Sequence, residues 1–244
     1  MKEFLVVIPA RYKSTRLPGK PLINIYGKTM IEWVYLRCKE VIQEENILIA
    51  TDHIEIINKC KEKNLNYILT PTNCLTGTDR VCEVAKKVKA KYYINIQGDE
   101  PVFNSQDILL LMSEVRKYNQ YEVFGGYTAI KSKEDFFSVN IPKLVLNNIE
   151  ELLYISRSSI PLNKANSFIS ANRQVCAYAF SYDGLINFSN TDKKTFLEEI
   201  EDIEILRFLE SGIKVKMVKM SNKSISIDVK EDLKKLNKSM FYVR

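Results

Sequence analysis

Arg11, Arg16 and Lys20 lie in the stretch ARYKSTRLPGKPL, directly after the apolar run Val6-Val7-Ile8. Guanidinium forks match phosphate oxygens two at a time and a lysine adds a point charge, so this trio suits the phosphates of a nucleotide. Pro9, Pro18 and Pro21 stiffen the backbone around them, which lowers the entropy lost when a loop closes on a ligand. A solvated basic loop is the plain alternative.

Two acidic positions answer that loop. In INIQGDEP, Gln97, Asp99 and Glu100 follow a buried strand, and in SISIDVKEDL Asp228 follows an extended piece. Carboxylates at strand ends facing a phosphate loop are natural magnesium ligands, and with the loop they fit metal-assisted phosphoryl or nucleotidyl transfer. Gly-Asp is equally good turn chemistry, and Asp228 could be a helix cap. LTGTDR, Leu75 to Arg80, places small hydroxyl residues and Gly77 where a helix starts, so that free backbone N–H groups either meet a ligand or belong to a plainly capped helix.

Several chemistries drop out. GKT at 27–29 lacks the upstream glycine of a phosphate-binding P-loop, since that position is Leu22, so Gly27 reads as a turn before a helix near Thr29. No G-x-G-x-x-G follows the first strand, so a dinucleotide fold has no support. His53 is the sole histidine and reads as a surface or loop residue after a helix-capping Asp52, which removes histidine-based metal sites and Ser-His-Asp triads. The five cysteines form no C-x-x-C pair and read as free thiols in a reducing compartment.

The elements that must position these residues follow from the pattern. Apolar runs at 4–8, 46–52, 66–69 and 92–101 alternate with amphipathic stretches near 29–43, 54–63, 78–90 and 105–117, which predicts a mostly parallel sheet with helices on both faces. From about 120 to 182 the chain is β-rich without regular crossovers and reads as an antiparallel extension packing against a partner chain. One helix is expected over 195–212, ending at Gly212, then a strand at 214–219, an extended piece at 224–228 and a helix near 229–238. The 244 residues form one domain, 1–244, with no repeat.

The net charge is +6, and residues 1–30 hold six basic residues against Glu3 alone. An excess gathered at one loop suits a small polyanion rather than a nucleic-acid duplex. No apolar run approaches membrane-spanning length and no signal-peptide core follows Met-Lys-Glu, so a cytoplasmic, soluble protein without membrane partners is expected.

Taken together, IPARYKSTRLPGKPL, ATD, TGTDR, NIQGDEP, YISRSSIP and IDVKEDL resemble, in order and over nearly the full chain, the 3-deoxy-manno-octulosonate (Kdo) cytidylyltransferases. These make CMP-Kdo from CTP and Kdo in Gram-negative bacteria. The resemblance implies a Rossmann-like nucleotidyltransferase fold, a homodimer using the 120–182 extension, and an in-line attack of the sugar's anomeric hydroxyl on the α-phosphorus of CTP. It implies that Ala10, Arg11, Ser14, Arg16 and Lys20 hold the CTP phosphates, and that Thr76, Gly77, Thr78 and Arg80 contact the nucleoside. Gln97 would bridge nucleotide and sugar, and Asp99 and Asp228 would hold Mg2+; Arg16, Lys20 and this aspartate pair would carry catalysis. Arg157, Gln174, Tyr178, Glu201 and Glu204 would line the pocket of an acidic eight-carbon sugar, activated for lipopolysaccharide or capsule synthesis.

The departures lie in the sugar half. RQVCAYAFS stands where the family usually reads R-H-x-G-I-Y-G-Y-R, so Gln174 replaces a histidine while Tyr178 is kept. IEDIEILR keeps Glu201 and Glu204 but has Ile205 for a glutamine, and Cys74 sits where a histidine is common. Three readings follow: a CMP-Kdo synthetase with a divergent pocket, a cytidylyltransferase for a modified ulosonic acid such as 8-amino-Kdo, and a non-catalytic nucleotide-binding protein. The retained Asp99, Asp228 and Arg16 speak against the last.

Overall fold

The computed structural model describes residues 1–13 and 17–241. Its first strand, β1 (Lys2–Ala10), is buried from Phe4 to its end, as a strand covered on both faces must be. Phe4, Val6 and Ile8 enter one core while Leu5 and Val7 enter a second, because successive side chains of a strand point to opposite faces. The chain then passes a small hairpin, β2 (Asn24–Ile25) and β3 (Lys28–Thr29), into α1 (Met30–Lys39). Gly27 makes the expected turn with φ 92°, a conformation open to glycine, and Thr29 caps α1 reciprocally with Glu32.

The expected alternation continues through β4 (Ile47–Thr51), α2 (Ile54–Glu62), β5 (Tyr67–Leu69), α3 (Gly77–Lys87), β6 (Ala90–Ile96) and α4 (Gln106–Lys117). Strands β6, β1, β4 and β5 are neighbours in that order and all parallel. Val34 of α1, Ile56 of α2 and Leu111 of α4 pack on the Phe4 side, and Val81 and Val84 of α3 on the Leu5 side. Helices therefore cover both faces.

The second half contains β7 (Val123–Ala129), α5 (Lys133–Phe137), β8 (Lys143–Leu146), β9 (Leu152–Ser156), β10 (Asn172–Ser181), α6 (Tyr182–Phe188), α7 (Phe196–Glu201), α8 (Leu206–Glu210) and β11 (Val215–Lys219). Here the expectation of a β-rich extension from 120 to 182 needs correcting. Strands β7 and β10 belong to the main sheet, ordered β11-β7-β10-β6-β1-β4-β5, with β10 antiparallel to β6 and β7. Within this sheet the β8–β9 hairpin lies off the path, joined to the start of β10. A register shift between Val175 and Tyr178 marks a bulge in β10.

Two helix expectations also change. Asp202 takes φ 51° and divides the 195–212 stretch into α7 and α8, although Gly212 does close it with φ 74°. The segment near 229–238 forms 3-10 turns, Lys230–Lys235 and Lys238–Met240, instead of an α-helix. Among the described residues no helix is long and apolar enough to cross a membrane.

Candidate active site at the carboxyl edge of the sheet

Because β1 and β6 run parallel, they deliver Pro9, Ala10 and Arg11 and then Gln97, Gly98 and Asp99 to the same edge, where a cleft of about 450 Å³ opens. Gly98 permits this approach: a Cβ there would lie 2.7 Å from the carbonyl oxygen of Pro9. The basic loop closes one side. Gly19, at φ 67°, donates its N–H to the Tyr12 carbonyl (3.1 Å) and starts a 3-10 turn over Lys20–Leu22. Tyr12 stacks on His53 with ring centroids 3.8 Å apart. His53, rather than Asp52, is the cap of α2, accepting from the Glu55 N–H at 3.3 Å.

Lys20 reaches from this turn to both candidate metal ligands. Its Nζ lies 2.7 Å from Asp99 Oδ2 and 3.2 Å from Asp228 Oδ1. Asp228 is brought there by backbone pairing, the Ile227 N–H donating to the Asp99 carbonyl at 3.0 Å and Ile225 bridging Val102. Asp232 fixes the following turn by accepting the N–H groups of Asp228 (2.8 Å) and Val229 (3.0 Å). Burial works against the Lys20 charge, but Asp99 and Asp228 outweigh it and hold the ammonium above its ordinary pKa. Two half-buried carboxylates could hold a divalent ion that takes its remaining ligands from phosphates and water. Among the described residues there is no group of three or more acidic, histidine or cysteine side chains that would cage one unaided.

The start of α3 forms the opposite wall. Thr76 caps the helix, and Asp79 Oδ2 accepts both its N–H (2.7 Å) and its hydroxyl (2.6 Å). Glu204 takes the next free donors, the N–H groups of Gly77 and Thr78, both at 2.9 Å, and the Thr78 hydroxyl at 2.6 Å. The helix start that could have met a ligand is thus satisfied by a carboxylate, which also complements the helix dipole. The turn at Asp202 separates α7 from α8, and Glu204 just after it faces α3.

The structure brings Ala10, Arg11, Lys20, Thr76, Gly77, Gln97, Asp99, Glu204 and Asp228 to the cleft. Thr78 lies just behind its wall, almost fully buried. Ser14 and Arg16 lie outside the described residues. Arg80 does not join the site: it is 1% exposed and turned to Asp52 (3.3 Å) and the Thr70 hydroxyl (2.6 Å). Arg157 and Glu201 face each other instead of the cleft. Glu201 accepts from the Ser156 hydroxyl (2.5 Å) and the Arg157 N–H (2.8 Å), and the Arg157 guanidinium donates to the carbonyls of Glu201, Asp202 and Val139. Gln174 and Tyr178 are buried together, the Gln174 amide donating to the Tyr178 hydroxyl at 2.6 Å.

Sequence reading passed over Lys194 and Asp202, which line the cleft beyond Glu204, and the buried Glu198 and Ile203 behind them. Their signal is the acidic density of TFLEEIEDIEILR, within the stretch expected to be one helix. It also passed over Asn95, which is fully buried two residues before Gln97, on the same side of the strand, with neither amide atom hydrogen-bonded. Beside the cleft, burial and the neighbouring Asp99 push the Glu100 carboxyl up to about 7, and burial raises the Cys176 thiol and the Tyr178 hydroxyl well above their usual ranges.

A family model described as cytidylyltransferase matches residues 5–224. A 3-deoxy-manno-octulosonate cytidylyltransferase of Fusobacterium nucleatum is 37% identical over 96% of this chain and 95% of its own. One of Acidobacterium capsulatum is 38% identical over 94% of this chain and 93% of its own. A solved structure of CMP:2-keto-3-deoxy-manno-octonic acid synthetase complexed with CTP superimposes with a TM-score of 0.88, at 34% identity and 96% coverage of both chains.

Proposed function

Because this chain belongs to the cytidylyltransferase family, we propose that it transfers CMP from CTP to the anomeric hydroxyl of Kdo, a 2-ulosonic acid, and releases pyrophosphate. The observation that carries this reading is the meeting of Lys20, Asp99 and Asp228 beside Gln97 at the carboxyl edge of a parallel sheet. Arg11 and Lys20 bind the triphosphate and offset its charge. Gln97, with a donor and an acceptor on one amide, lies between the phosphate side and the α3 wall and orients both reactants there. Asp99 and Asp228 hold magnesium, which when bound neutralises charge developing on the phosphates. Among the described residues no histidine lines the cleft, so the chain contributes by positioning and electrostatics rather than by an imidazole base.

The resemblance also supports a homodimer, a cytoplasmic location, and supply of the activated sugar to lipopolysaccharide or capsule synthesis. A second reading, transfer to a modified ulosonic acid such as 8-amino-Kdo, is favoured by Ile205. That residue is 2% exposed within the apolar core and offers no hydrogen bond where the family has a glutamine. Pyrophosphate release from CTP and magnesium, measured with Kdo, 8-amino-Kdo and sialic acid, tests the proposal. Turnover with Kdo is expected. A kcat/KM for 8-amino-Kdo more than about ten-fold above that for Kdo would select the second reading, and release with none of the three would refute both.

A further inference from the structure

The ammonium of Lys20 sits between the two carboxylates that would bind a divalent cation, 2.7 Å from one and 3.2 Å from the other. Its side chain is 12% exposed, whereas those of Asp99 and Asp228 are 30% and 36% exposed, so the lysine lies deeper than the acids and fills the space between them.

The backbone of Lys20 is fixed and its side chain is the part able to move. Gly19 and Pro21 flank it in the 3-10 turn, and the hydrogen bond from Gly19 to Tyr12 ties that turn to the stacked Tyr12–His53 pair. Four methylenes separate Nζ from this anchor. The same cleft contains Arg11 and Lys13, where the triphosphate's charge would be met.

We propose that Lys20 is a placeholder for the metal: in the CTP-free protein its ammonium occupies the Asp99–Asp228 pair, and it leaves for the triphosphate when CTP brings a divalent cation in. This rests on the assignment of Asp99 and Asp228 as metal ligands and adds an order of events to it. An ammonium and a magnesium ion cannot share the gap, since magnesium requires carboxylate oxygens at about 2.0–2.1 Å in near-octahedral geometry. A free cation must displace Lys20 without compensation. A cation arriving with CTP offers the displaced ammonium a phosphate partner in exchange. Lys20 is thus a positioning residue that keeps the two acids paired while the site is empty and makes metal binding depend on nucleotide.

Titration of the CTP-free protein with Mn2+, read by loss of the free-ion electron paramagnetic resonance signal, tests this without turnover. Lys20→Met is expected to bind Mn2+ at least about ten-fold more tightly than the wild type, whereas Lys20→Arg, which keeps the cation, stays near the wild-type value. A Lys20→Met/Asp99→Asn double variant should lose the gain. Lys20→Met binding no tighter than wild type overturns the placeholder. If Lys20→Met does not fold, wild-type protein binding Mn2+ as tightly without CTP as with it overturns the proposal equally, and a CTP-dependent gain of ten-fold or more supports it. The underlying metal assignment is read separately, from Mn2+ binding in the presence of CTP. Loss of that binding in Asp99→Asn and Asp228→Asn upholds the assignment whatever Lys20→Met does, and unchanged binding in both variants removes the assignment and the placeholder with it.

Discussion

Arg207 and Glu198 meet as a fork-to-fork pair in the interior, Nε to Oε2 at 2.6 Å and Nη2 to Oε1 at 2.7 Å, with both side chains at most 1% exposed. Arg207 also donates from Nη1 to Asp79 Oδ1 at 2.8 Å and stacks on Phe188, its guanidinium carbon 3.8 Å from the ring centroid. Asp79 in turn holds Thr76, so a single guanidinium connects α7 and α8 to the start of α3. Removing one partner of a buried pair leaves an uncompensated charge. Arg207→Met should therefore destabilise the protein by about 3–5 kcal/mol, seen as a lower urea midpoint with an unchanged slope. A shift within about 0.5 kcal/mol, the usual range for inconsequential substitutions, would mean that the network does not hold the wall.

Asp99→Asn and Asp228→Asn should each abolish most turnover while the far-ultraviolet circular dichroism and melting cooperativity stay native. Both carboxylates are half-buried at the cleft and neither packs the core. Near-normal kcat at saturating magnesium in either variant would remove that residue from the metal site.

Arg11→Ala and Lys20→Ala should each weaken CTP binding by about 1.5–3 kcal/mol, the range for hydrogen bonds to charged groups. Calorimetry at two salt concentrations checks this, because partly exposed charges are screened and wild-type affinity should fall as salt rises. Unchanged CTP affinity in both variants would return the loop to a solvated basic stretch.

Glu151 ties the β8–β9 turn to the base of β11, accepting from the Tyr121 hydroxyl (2.9 Å), Lys214 (3.1 Å) and the Asn147 amide (2.8 Å). The Tyr121 hydrogen bond above all, then Lys214 and Asn147, hold its carboxyl below the ordinary value of 4.5. A carboxylate whose folded pKa is depressed stabilises the fold above its unfolded pKa, and this contribution is lost as pH falls through the folded value. Stability curves of wild type and Glu151→Gln should accordingly be separated at neutral pH and converge below about pH 4.5. Parallel curves across the acid range would contradict the assignment.

The first half of the fold was legible because its signals are local. Val6, Val7 and Ile8 are β-branched, caps such as Thr76 and Thr29 mark helix starts, and the strand-helix alternation dictates a parallel sheet. For the same reason Lys20, Asp99 and Asp228 could be assigned to one edge before their contacts were known. What could not be read depends on pairing across long stretches of chain. β7 and β10 look like an appendage until β10 pairs antiparallel with β6, and the break at Asp202 arises where Glu204 meets α3, more than a hundred residues earlier in the chain. Arg80 resembles a ligand contact by its motif, yet Asp52 and Thr70 engage it from the ends of two neighbouring strands.

The central claim is that a sugar oxygen attacks the α-phosphorus of CTP. It is tested most directly with Kdo carrying oxygen-18 at the anomeric hydroxyl, incubated with CTP and magnesium and followed by phosphorus-31 nuclear magnetic resonance. The account predicts a new phosphodiester whose resonance shows the isotope shift of a bridging heavy oxygen, formed together with one equivalent of pyrophosphate. A CMP-sugar without the isotope shift, or pyrophosphate released at the same rate without sugar, would contradict it.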